Sequence, residues 1–324
     1  MSSGNSGLRM AALPVGRARS PATAAQARAR YFNSANAFNI ALPEVTARVF
    51  TEPPRMAAVP YAASGFYACD QSDQLGCAYP ATTPFMLARY ARIQAGESIV
   101  APFAERASSS IWYVMAGRGS VSTGAGVDSG SDERLAFGSG DVFLLPCRRT
   151  ELTADADHDV LLWVVTDEPL LAALELAPRA GLGQAVHFTR ADIAAHTDSV
   201  QAATPDADTS GRAVVFSCEA LEEKRNIMPA LTLSLNTLAP GGSQAAHRHN
   251  SAALTLVLSG TSCHSMLGGV RCAWEEGATL VTPAGVAHSH HNEGDARADF
   301  LIVQDGGLYY EGRTMGFAWT SDPA

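Results

Sequence analysis

Short runs of apolar and β-branched residues recur along most of the chain, for example at residues 160–165 and 254–258. Turn-forming residues bound each run, such as those at 138–140 or the pair Gly268-Gly269. Runs of this length with turn signals between them are typical of β-strands, and long helical periodicity is largely absent. The pattern predicts an all-β protein with a few short helices.

Two segments carry a helical pattern. Residues 167–176 follow the first strand-rich block, and residues 190–195 follow Thr189, a residue type that favours helix starts. We expect these segments to form part of a connector between two strand-rich blocks. The predicted organisation is a basic, flexible N-terminal arm at 1–45, a first β domain at 46–166, a connector at 167–200 and a second β domain at 201–324.

The two strand-rich blocks repeat one arrangement of anchor residues. In each block a glycine closes a strand, a second glycine opens another, and a proline ends it. The anchors are Gly117, Gly140 and Pro146 in the first block and Gly260, Gly277 and Pro283 in the second. The first block carries six extra residues between its glycines, which we place in the hairpin at 123–133. The repeat predicts two tandem antiparallel β-barrels or jelly rolls, with a single larger sandwich as the alternative.

Composition narrows the class of protein. The chain has 324 residues, 47% hydrophobic and 17% charged, so it can build a substantial core. Its net charge of -9 argues against a nucleic-acid partner. No apolar run approaches the roughly 20 residues of a membrane helix, so we expect no membrane partner. Six cysteines without a CxxC pair favour reduced thiols in a cytoplasmic protein.

The N-terminal thirty residues contain five arginines, and no acidic residue precedes Glu44. This composition is typical of a transit peptide, of a disordered basic arm, or of a segment that wraps a partner subunit. We favour the latter two interpretations, because nothing in the sequence indicates an organelle.

Histidines concentrate in the second block, where six of the nine lie between residues 247 and 291. His247 and His249 are separated by one residue, so on a strand both imidazoles project from the same face. His288 follows a turn that begins at Pro283, and an antiparallel partner strand could bring this third imidazole to the same place. We predict a metal site of three histidines, with Asn292 as a candidate for the hydrogen bond that fixes a ligand's tautomer.

Two further groups of side chains are expected to face this site. His290 shares strand parity with His288, so we expect it to project into the same cavity and transfer protons there. His264 and His291 are expected to have ordinary surface or core roles. Residues 231–236 alternate leucine with a polar residue, and we expect the polar face to point toward the metal; an ordinary solvent-facing surface is the alternative.

Residues 241–260 and 277–292 resemble the two characteristic cupin motifs, and the resemblance to a bicupin covers about residues 85–310. Many cupins have a glutamate ligand four residues after the second histidine, where this chain has Ala253. In this respect the chain resembles gentisate 1,2-dioxygenase and the salicylate and 1-hydroxy-2-naphthoate dioxygenases, which hold Fe(II) with three histidines and no carboxylate. The fold implied is a jelly-roll bicupin, or tandem double-stranded β-helix. The metal ligands implied are His247, His249 and His288.

The resemblance implies a non-haem Fe(II) dioxygenase that cleaves an aromatic ring in an extradiol-type reaction. Its partners would be a small hydroxylated aromatic substrate of the gentisate or salicylate type, O2 and one or three further copies of the chain. Mn, Ni and Zn are alternatives to iron, since imidazole ligands permit each of them. The alternative functions are a metal-dependent lyase or isomerase and a non-catalytic cupin that binds a small ligand.

The chain departs from these relatives in both blocks. Ala104, Arg106 and Glu151 occupy the ligand positions of the first block, so we expect metal only in the second. Thr255 replaces an arginine that pairs with the substrate carboxylate, and Asn236 stands where the relatives have a substrate-contacting glutamine. We expect both residues to contact substrate. The arginines that could restore the missing positive charge are Arg225, Arg248 and Arg313.

Overall fold

The computed structural model describes residues 9–38, 40–124, 133–179, 183–204 and 211–320. Two compact units divide the chain, at residues 1–43 and 44–324. The tip of the predicted hairpin insertion, residues 125–132, lies outside the described residues. No helix in the described ranges is both long and apolar enough to cross a membrane.

The first unit contains a short hairpin. Strand β1 (Gly16–Arg17) pairs antiparallel with strand β2 (Arg30–Tyr31), and helix α1 (Ala24–Arg28) lies between them in sequence. Helix α1 begins after Thr23, whose Oγ1 accepts a hydrogen bond from the backbone amide of Gln26 at 3.2 Å. A 3-10 turn at Met10–Ala12 precedes the hairpin. The flexibility of this arm stays a prediction.

The second unit is built mainly of strands. In chain order these are β3 (Arg48–Phe50), β4 (Gly65–Ala68), β5 (Leu87–Ile93), β6 (Ser98–Val100), β7 (Ser109–Ala116), β8 (Arg118–Thr123), β9 (Glu133–Gly138), β10 (Val142–Pro146), β11 (Thr150–Ala154), β12 (Val160–Thr166), β13 (Val186–Phe188), β14 (Arg212–Phe216), β15 (Thr232–Leu238), β16 (Ser243–His249), β17 (Ala253–Ser259), β18 (Cys263–Leu267), β19 (Val270–Ala273), β20 (Thr279–Thr282), β21 (His288–Asn292), β22 (Ala298–Gln304) and β23 (Phe317–Trp319). The helices are α2 (Glu52–Ala58), α3 (Ser72–Leu75), α4 (Glu168–Ala173), α5 (Arg190–Ala202) and α6 (Gly306–Glu311), with a 3-10 helix at Glu219–Lys224.

The sheet order confirms the predicted repeat. In the first half, neighbouring strands run β10-β7-β12-β5 in one sheet and β6-β11-β8-β9 in the other. The second half repeats this order as β20-β17-β22-β15 and β16-β21-β18-β19. All of these pairings are antiparallel. The fold is therefore two tandem jelly rolls, each made of two packed sheets.

Additional strands extend the repeated sheets across the predicted domain boundaries. Strand β3 pairs with β20 of the second jelly roll, with Phe50 opposite Thr279. Strand β13, in the predicted connector, pairs with β10 of the first jelly roll. The boundaries at residues 46, 167 and 201 stay a prediction, and these two strands show that backbone pairing crosses them.

The predicted connector helices are present. Helix α4 lies within the expected segment 167–176. Helix α5 starts where expected, because Thr189 Oγ1 accepts a hydrogen bond from the Asp192 amide at 3.2 Å, and it continues to Ala202. Its extension beyond the predicted end at residue 195 adds mostly polar residues of modest helix propensity, so neither hydrophobic periodicity nor propensity indicated it.

Strand β12 reads as an almost continuous apolar run because both of its faces are buried. In β12, Trp163 and Val165 face the other jelly roll, whereas Leu162 and Val164 face the interior of their own. The shared core between the jelly rolls also contains hydrogen bonds: Tyr90 Oη lies 2.6 Å from Thr279 Oγ1, and Trp163 Nε1 donates to the same oxygen at 3.0 Å. The two jelly rolls are thus packed through a largely apolar interface that contains a few buried hydrogen bonds.

The interiors of the two jelly rolls differ. The first is filled by a cluster of stacked aromatic rings in which Trp112 lies 5.9 Å from both Phe103 and Phe143, measured between ring centroids. The second has a smaller apolar cluster that includes Trp274 and Phe300. The remaining interior of the second jelly roll is a cavity of about 530 Å³.

Candidate metal centre and binding cavity

Strands β16 and β21 bring three histidines together in the second jelly roll. His247 lies directly opposite His288 in the antiparallel pair, and His249 projects from the same face as His247 two residues further on. One ligand nitrogen from each residue lies within 4.8 Å of the others, and all three side chains are buried. Within the described ranges this is the one group of three or more such side chains arranged to hold a metal ion.

Backbone carbonyls fix the tautomer of each of these histidines. The Nδ1 atoms lie 2.8 Å from Ala245 O for His247, 2.8 Å from Ser251 O for His249 and 2.9 Å from Val286 O for His288. A carbonyl oxygen can only accept, so each Nδ1 must carry the proton. Each Nε2 then carries a lone pair and no proton, which is the state that a metal ligand requires.

Burial keeps the three imidazoles neutral. It lowers the pKa of His247 and His249, and it lowers the pKa of His288 to about 3, with the two neighbouring imidazoles adding to the effect. Protons therefore do not compete for the Nε2 atoms near neutral pH. Three neutral nitrogen donors suit divalent Fe, Zn, Ni or Mn, so the residues present fit a bound metal ion.

Asn292 does not have the role expected of it. Its Nδ2 donates to the carbonyl oxygens of Leu238, Ala239 and Ala296, and its Oδ1 accepts from the amide of Gly294. These bonds tie the end of β21 to neighbouring loops. The expectation failed because carbonyls two residues from each histidine already hold the Nδ1 atoms, a local arrangement that strand parity does not reveal.

His290 lies on the same face as His288 and lines the cavity, as strand parity predicted. Its Nδ1 is 2.8 Å from Ser265 Oγ, and Trp274 Nε1 donates to that same oxygen at 2.8 Å. Because the indole N–H can only donate, the serine hydroxyl is free to donate to His290 Nδ1. Complete burial, followed by the field of His288, holds the pKa of His290 well below its usual range.

The two remaining histidines of this sheet, His264 and His291, lie on the face opposite to that of His288 and His290. His291 stacks on His264 with ring centroids 4.7 Å apart and planes inclined by 12°, and its Nε2 is 2.7 Å from Ser289 Oγ. Neither ring lines the cavity. Their ordinary structural roles stay a prediction.

Polar side chains of β15 and β17 form one wall of the cavity. Asn236 donates from Nδ2 to Ser234 Oγ at 2.8 Å, and both residues line the same cavity as the three histidines. Thr255 also lines it, and its buried Oγ1 has no hydrogen-bond partner among the described residues. The structure thus brings Asn236 and Thr255 beside the histidines, whereas their contact with a substrate stays a prediction.

Several cavity residues come from parts of the chain that sequence reasoning did not connect. Phe317 stacks on His247 at 5.2 Å, and Trp319 meets the same ring edge-on at 6.0 Å. Gln304 places Nε2 3.4 Å from His249 Nε2, consistent with an unprotonated nitrogen at that position. The alternation of Phe317 and Trp319 indicates one face of a strand, but not that β23 pairs with β16.

The positions in the first jelly roll that correspond to the ligands do not converge. Ala104 is packed in the apolar core, Arg106 lies 3.3 Å from Glu168, and Glu151 pairs with Arg149 at 3.2 Å on the surface. The absence of a metal there stays a prediction. These contacts show that Ala104 packs against apolar residues and that Arg106 and Glu151 each form an ion pair.

Comparison with known proteins agrees with this fold and site. Residues 234–304 match the cupin domain family. A gentisate 1,2-dioxygenase from Ralstonia sp is 30% identical over 88 residues, which cover 27% of this chain and 25% of that enzyme. The match therefore spans about a quarter of that curated relative.

Solved structures extend the likeness to most of the chain. The salicylate 1,2-dioxygenase of Pseudaminobacter salicylatoxidans has a TM-score of 0.68 and 15% identity, over 87% of this chain and 91% of that one. A structure of that enzyme as an adduct with gentisate has the same TM-score with 14% identity, covering 87% of each chain. At this identity the likeness concerns the fold. The match to the cupin domain family lies within the second jelly roll, and the predicted resemblance of the chain to gentisate and salicylate dioxygenases is confirmed.

Proposed function

We propose that this protein is a non-haem Fe(II) dioxygenase that cleaves the ring of a hydroxylated aromatic compound of the gentisate or salicylate type. The observation that carries the proposal is the set of three buried, neutral imidazoles whose Nε2 atoms carry no proton. At the position where many cupins have a glutamate ligand, this chain has Ala253. The relatives named above support the reaction class. Extradiol-type cleavage and the C-terminal location of the metal are parts of the same proposal.

His247, His249 and His288 would hold the metal through Nε2. When bound, Fe(II) at this site supplies redox chemistry with O2 and leaves positions free for oxygen donors of a substrate. The neutral ligands leave the full charge of the cation in the cavity, which favours an anionic, chelating substrate. Asn236 and Thr255 would hold the substrate's polar groups on the opposite wall. Phe317 would offer a ring face beside His247.

His290 would act beside the reacting atoms as the residue that holds and moves a proton. His290 lines the cavity, while its Nδ1 lies 2.8 Å from Ser265 Oγ, to which Trp274 Nε1 donates. A neutral imidazole held in one tautomer donates a hydrogen bond in a fixed direction, and its burial keeps bulk water from competing.

The test combines metal analysis with oxygen consumption. Protein purified without oxygen should hold a single metal ion per chain, and the double variant His247→Ala with His249→Ala should hold none. The Fe(II)-loaded protein should consume O2 with at least one of gentisate, salicylate, catechol or hydroquinone. Two metal ions per chain, or retention in the double variant, would overturn the site assignment. Turnover of a substrate without O2, supported by Zn or Mn, would replace the dioxygenase by a lyase or isomerase.

A further inference from the structure

The cavity of the second jelly roll is larger than a single-ring substrate requires. Its volume is about 530 Å³. Salicylate has about ten non-hydrogen atoms, and each of them occupies less than the roughly 30 Å³ of one molecule in liquid water, so salicylate fills at most about 300 Å³. Cavities of this volume are typical of sites that bury a drug-sized ligand. Space for a further group therefore remains after a single-ring acid is bound.

Two edge strands form a part of the cavity that lies beyond the four repeated strands of each sheet. Strand β14 lies beside β15 at the edge of one sheet, and β23 lies beside β16 at the edge of the other. Ala213 and Val215 of β14 line the cavity, and so does Phe317 of β23. Because side chains two residues apart on a strand share a face, Ala213 and Val215 present one continuous apolar surface.

This apolar surface adjoins the candidate metal centre. The ring centroid of Phe317 lies 5.2 Å from that of His247. In the pairing of β14 with β15, Ala213 lies opposite Asn236, which also lines the cavity. The side chains of β14 are thus one strand spacing, about 4.8 Å, further out than Asn236. A ligand held at the three histidines can reach them with one additional ring.

The first jelly roll shows what fills the corresponding place when no space is left. Ala91 of β5 corresponds to Asn236 of β15 in the two repeated sheets, and Phe66 of β4 lies opposite Ala91. The ring of Phe66 packs against Phe103 with centroids 5.0 Å apart and planes inclined by 78°. The residue of the second jelly roll that corresponds to Phe66 is Ala213. Its methyl group leaves open the space that a phenyl ring fills in the first jelly roll.

The outer part of the same surface is apolar and open to solvent. Val215 is 57% exposed, Tyr310 52% and Phe317 48%, and all three line the cavity. Covering these side chains with an apolar group of a ligand removes apolar area from water and stabilises the complex. The unpaired Oγ1 of Thr255 lies on β17, two strands from β15 on the side away from β14. The cavity therefore has a polar end and an apolar end.

The charged side chains at the cavity are compatible with an apolar ligand group. Apart from the histidines, the charged residues among the described lining residues are Lys224 and Arg225. Lys224 Nζ lies 2.7 Å from Glu311 Oε2, so its charge is balanced at the surface. Both side chains have long aliphatic stems that can pack against an apolar group. Arg248 and Arg313, the other arginines considered from the sequence, are not among the lining residues.

We infer that the substrate carries a hydrophobic substituent about the size of a second aromatic ring, on the side of its chelating ring that faces away from the metal. Ala213, Val215 and Phe317 bind this substituent. The inference rests on the proposed function, because it names the substrate class of the same site. A substrate without the substituent would leave the apolar end of the cavity in contact with water.

The test compares two pairs of ligands that differ by one phenyl group: salicylate with 5-phenylsalicylate, and catechol with 4-phenylcatechol. All four compounds are titrated calorimetrically into Fe(II)-loaded protein without oxygen, and the readout is the ratio of the two affinities within each pair. In the wild type the phenyl group should strengthen binding by about 10- to 100-fold in both pairs, because it buries apolar area. The use of both pairs makes the result independent of the carboxylate.

Two substitutions should reduce this gain by different means. Ala213→Phe introduces the ring that Phe66 supplies in the first jelly roll, so it should bring the ratio close to one. Val215→Asn makes the outer edge polar and should lower the ratio by about 3- to 10-fold. The matched control is Val270→Asn. Val270 is 58% exposed on the edge strand β19 and does not line the cavity, so this variant should keep the wild-type ratio.

Failures of the inference and of the proposed function can be told apart. A wild-type ratio near one, a ratio that Ala213→Phe and Val215→Asn leave unchanged, or an equal decrease in Val270→Asn overturns the inference. Bound metal and O2 uptake together with a wild-type ratio near one would leave the dioxygenase proposal standing. If the protein holds no metal, the dioxygenase proposal fails, and the titrations are made on metal-free protein. A phenyl-dependent gain that Ala213→Phe abolishes would then still support the apolar subsite, whereas equal or absent binding would refute it.

Discussion

Replacing His290 by alanine separates proton transfer from metal binding. His290 lies in the cavity beside His288 but is not one of the three converging ligands, whose Nδ1 atoms are held by backbone carbonyls. The variant should therefore keep its metal. A positioned proton-transfer residue contributes about a hundredfold in rate, or about 2.7 kcal/mol of activation free energy. We expect a loss of turnover of that size.

The structural cost of this substitution is smaller than the stability of a typical domain. Removing the imidazole leaves the hydroxyl of Ser265 without its acceptor, which costs about 1–3 kcal/mol. Natural domains have about 5–15 kcal/mol of unfolding free energy, so the variant should remain folded at 25 °C. Lost turnover would then report chemistry rather than unfolding.

The matched control is His291→Ala, one residue further along β21. Its half-buried ring stacks on His264 outside the cavity, so the variant should keep both metal and turnover. Iron content, thermal midpoint and O2 uptake are measured for both variants with the substrate that the wild type consumes fastest. Equal loss of turnover in the two variants, or full activity in His290→Ala, would refute the assigned role of His290.

Two further predictions concern stability. Burial raises the pKa of Asp305 from 3.8 to about 7, so its ionisation destabilises the fold progressively between pH 4 and pH 7 by up to about 4 kcal/mol. In Asp305→Asn the side-chain oxygen can still accept the hydrogen bond from the Ala252 amide. This variant should raise the thermal midpoint at pH 8 but not at pH 4. The same gain at both pH values would contradict the raised pKa of Asp305. Tyr90→Phe removes the hydroxyl that contacts Thr279 between the jelly rolls and should cost about 1–3 kcal/mol in urea unfolding with metal content unchanged. A neutral result would mean that this contact contributes little.

Much of the fold could be predicted because its signals are local. The glycines at Gly117 and Gly260 have φ values of 84° and 146°, so only a residue without Cβ fits these turns comfortably, and their recurrence marks the repeat. Strand β3 could not be assigned in the same way. Its pairing with β20 joins residues more than two hundred positions apart, and short apolar segments do not indicate which sheet edge they join.

The candidate site also contains residues that local sequence patterns predict and residues that only the three-dimensional structure brings together. His247 and His249 could be placed on one face because strand periodicity is local, and His288 followed from the hairpin. The groups that orient or cover the histidines lie in distant parts of the sequence. Trp274 donates to Ser265, which contacts His290, and Phe317 of the last strand stacks on His247.

The register of the two jelly rolls explains why the space that is open beside the three histidines is filled at the corresponding place in the first jelly roll. Each six-stranded sheet has a row of cross-strand neighbours that faces the interior. The row reads Arg89, Val164, Trp112 and Phe143 in the first jelly roll and Ser234, Ile302, Thr255 and Leu280 in the second. Trp112 of the first jelly roll thus corresponds to Thr255 of the second. In the first jelly roll its indole fills the space that, in the second, remains open beside the three histidines. The small side chain of Thr255 thus leaves room in the cavity beside the three histidines.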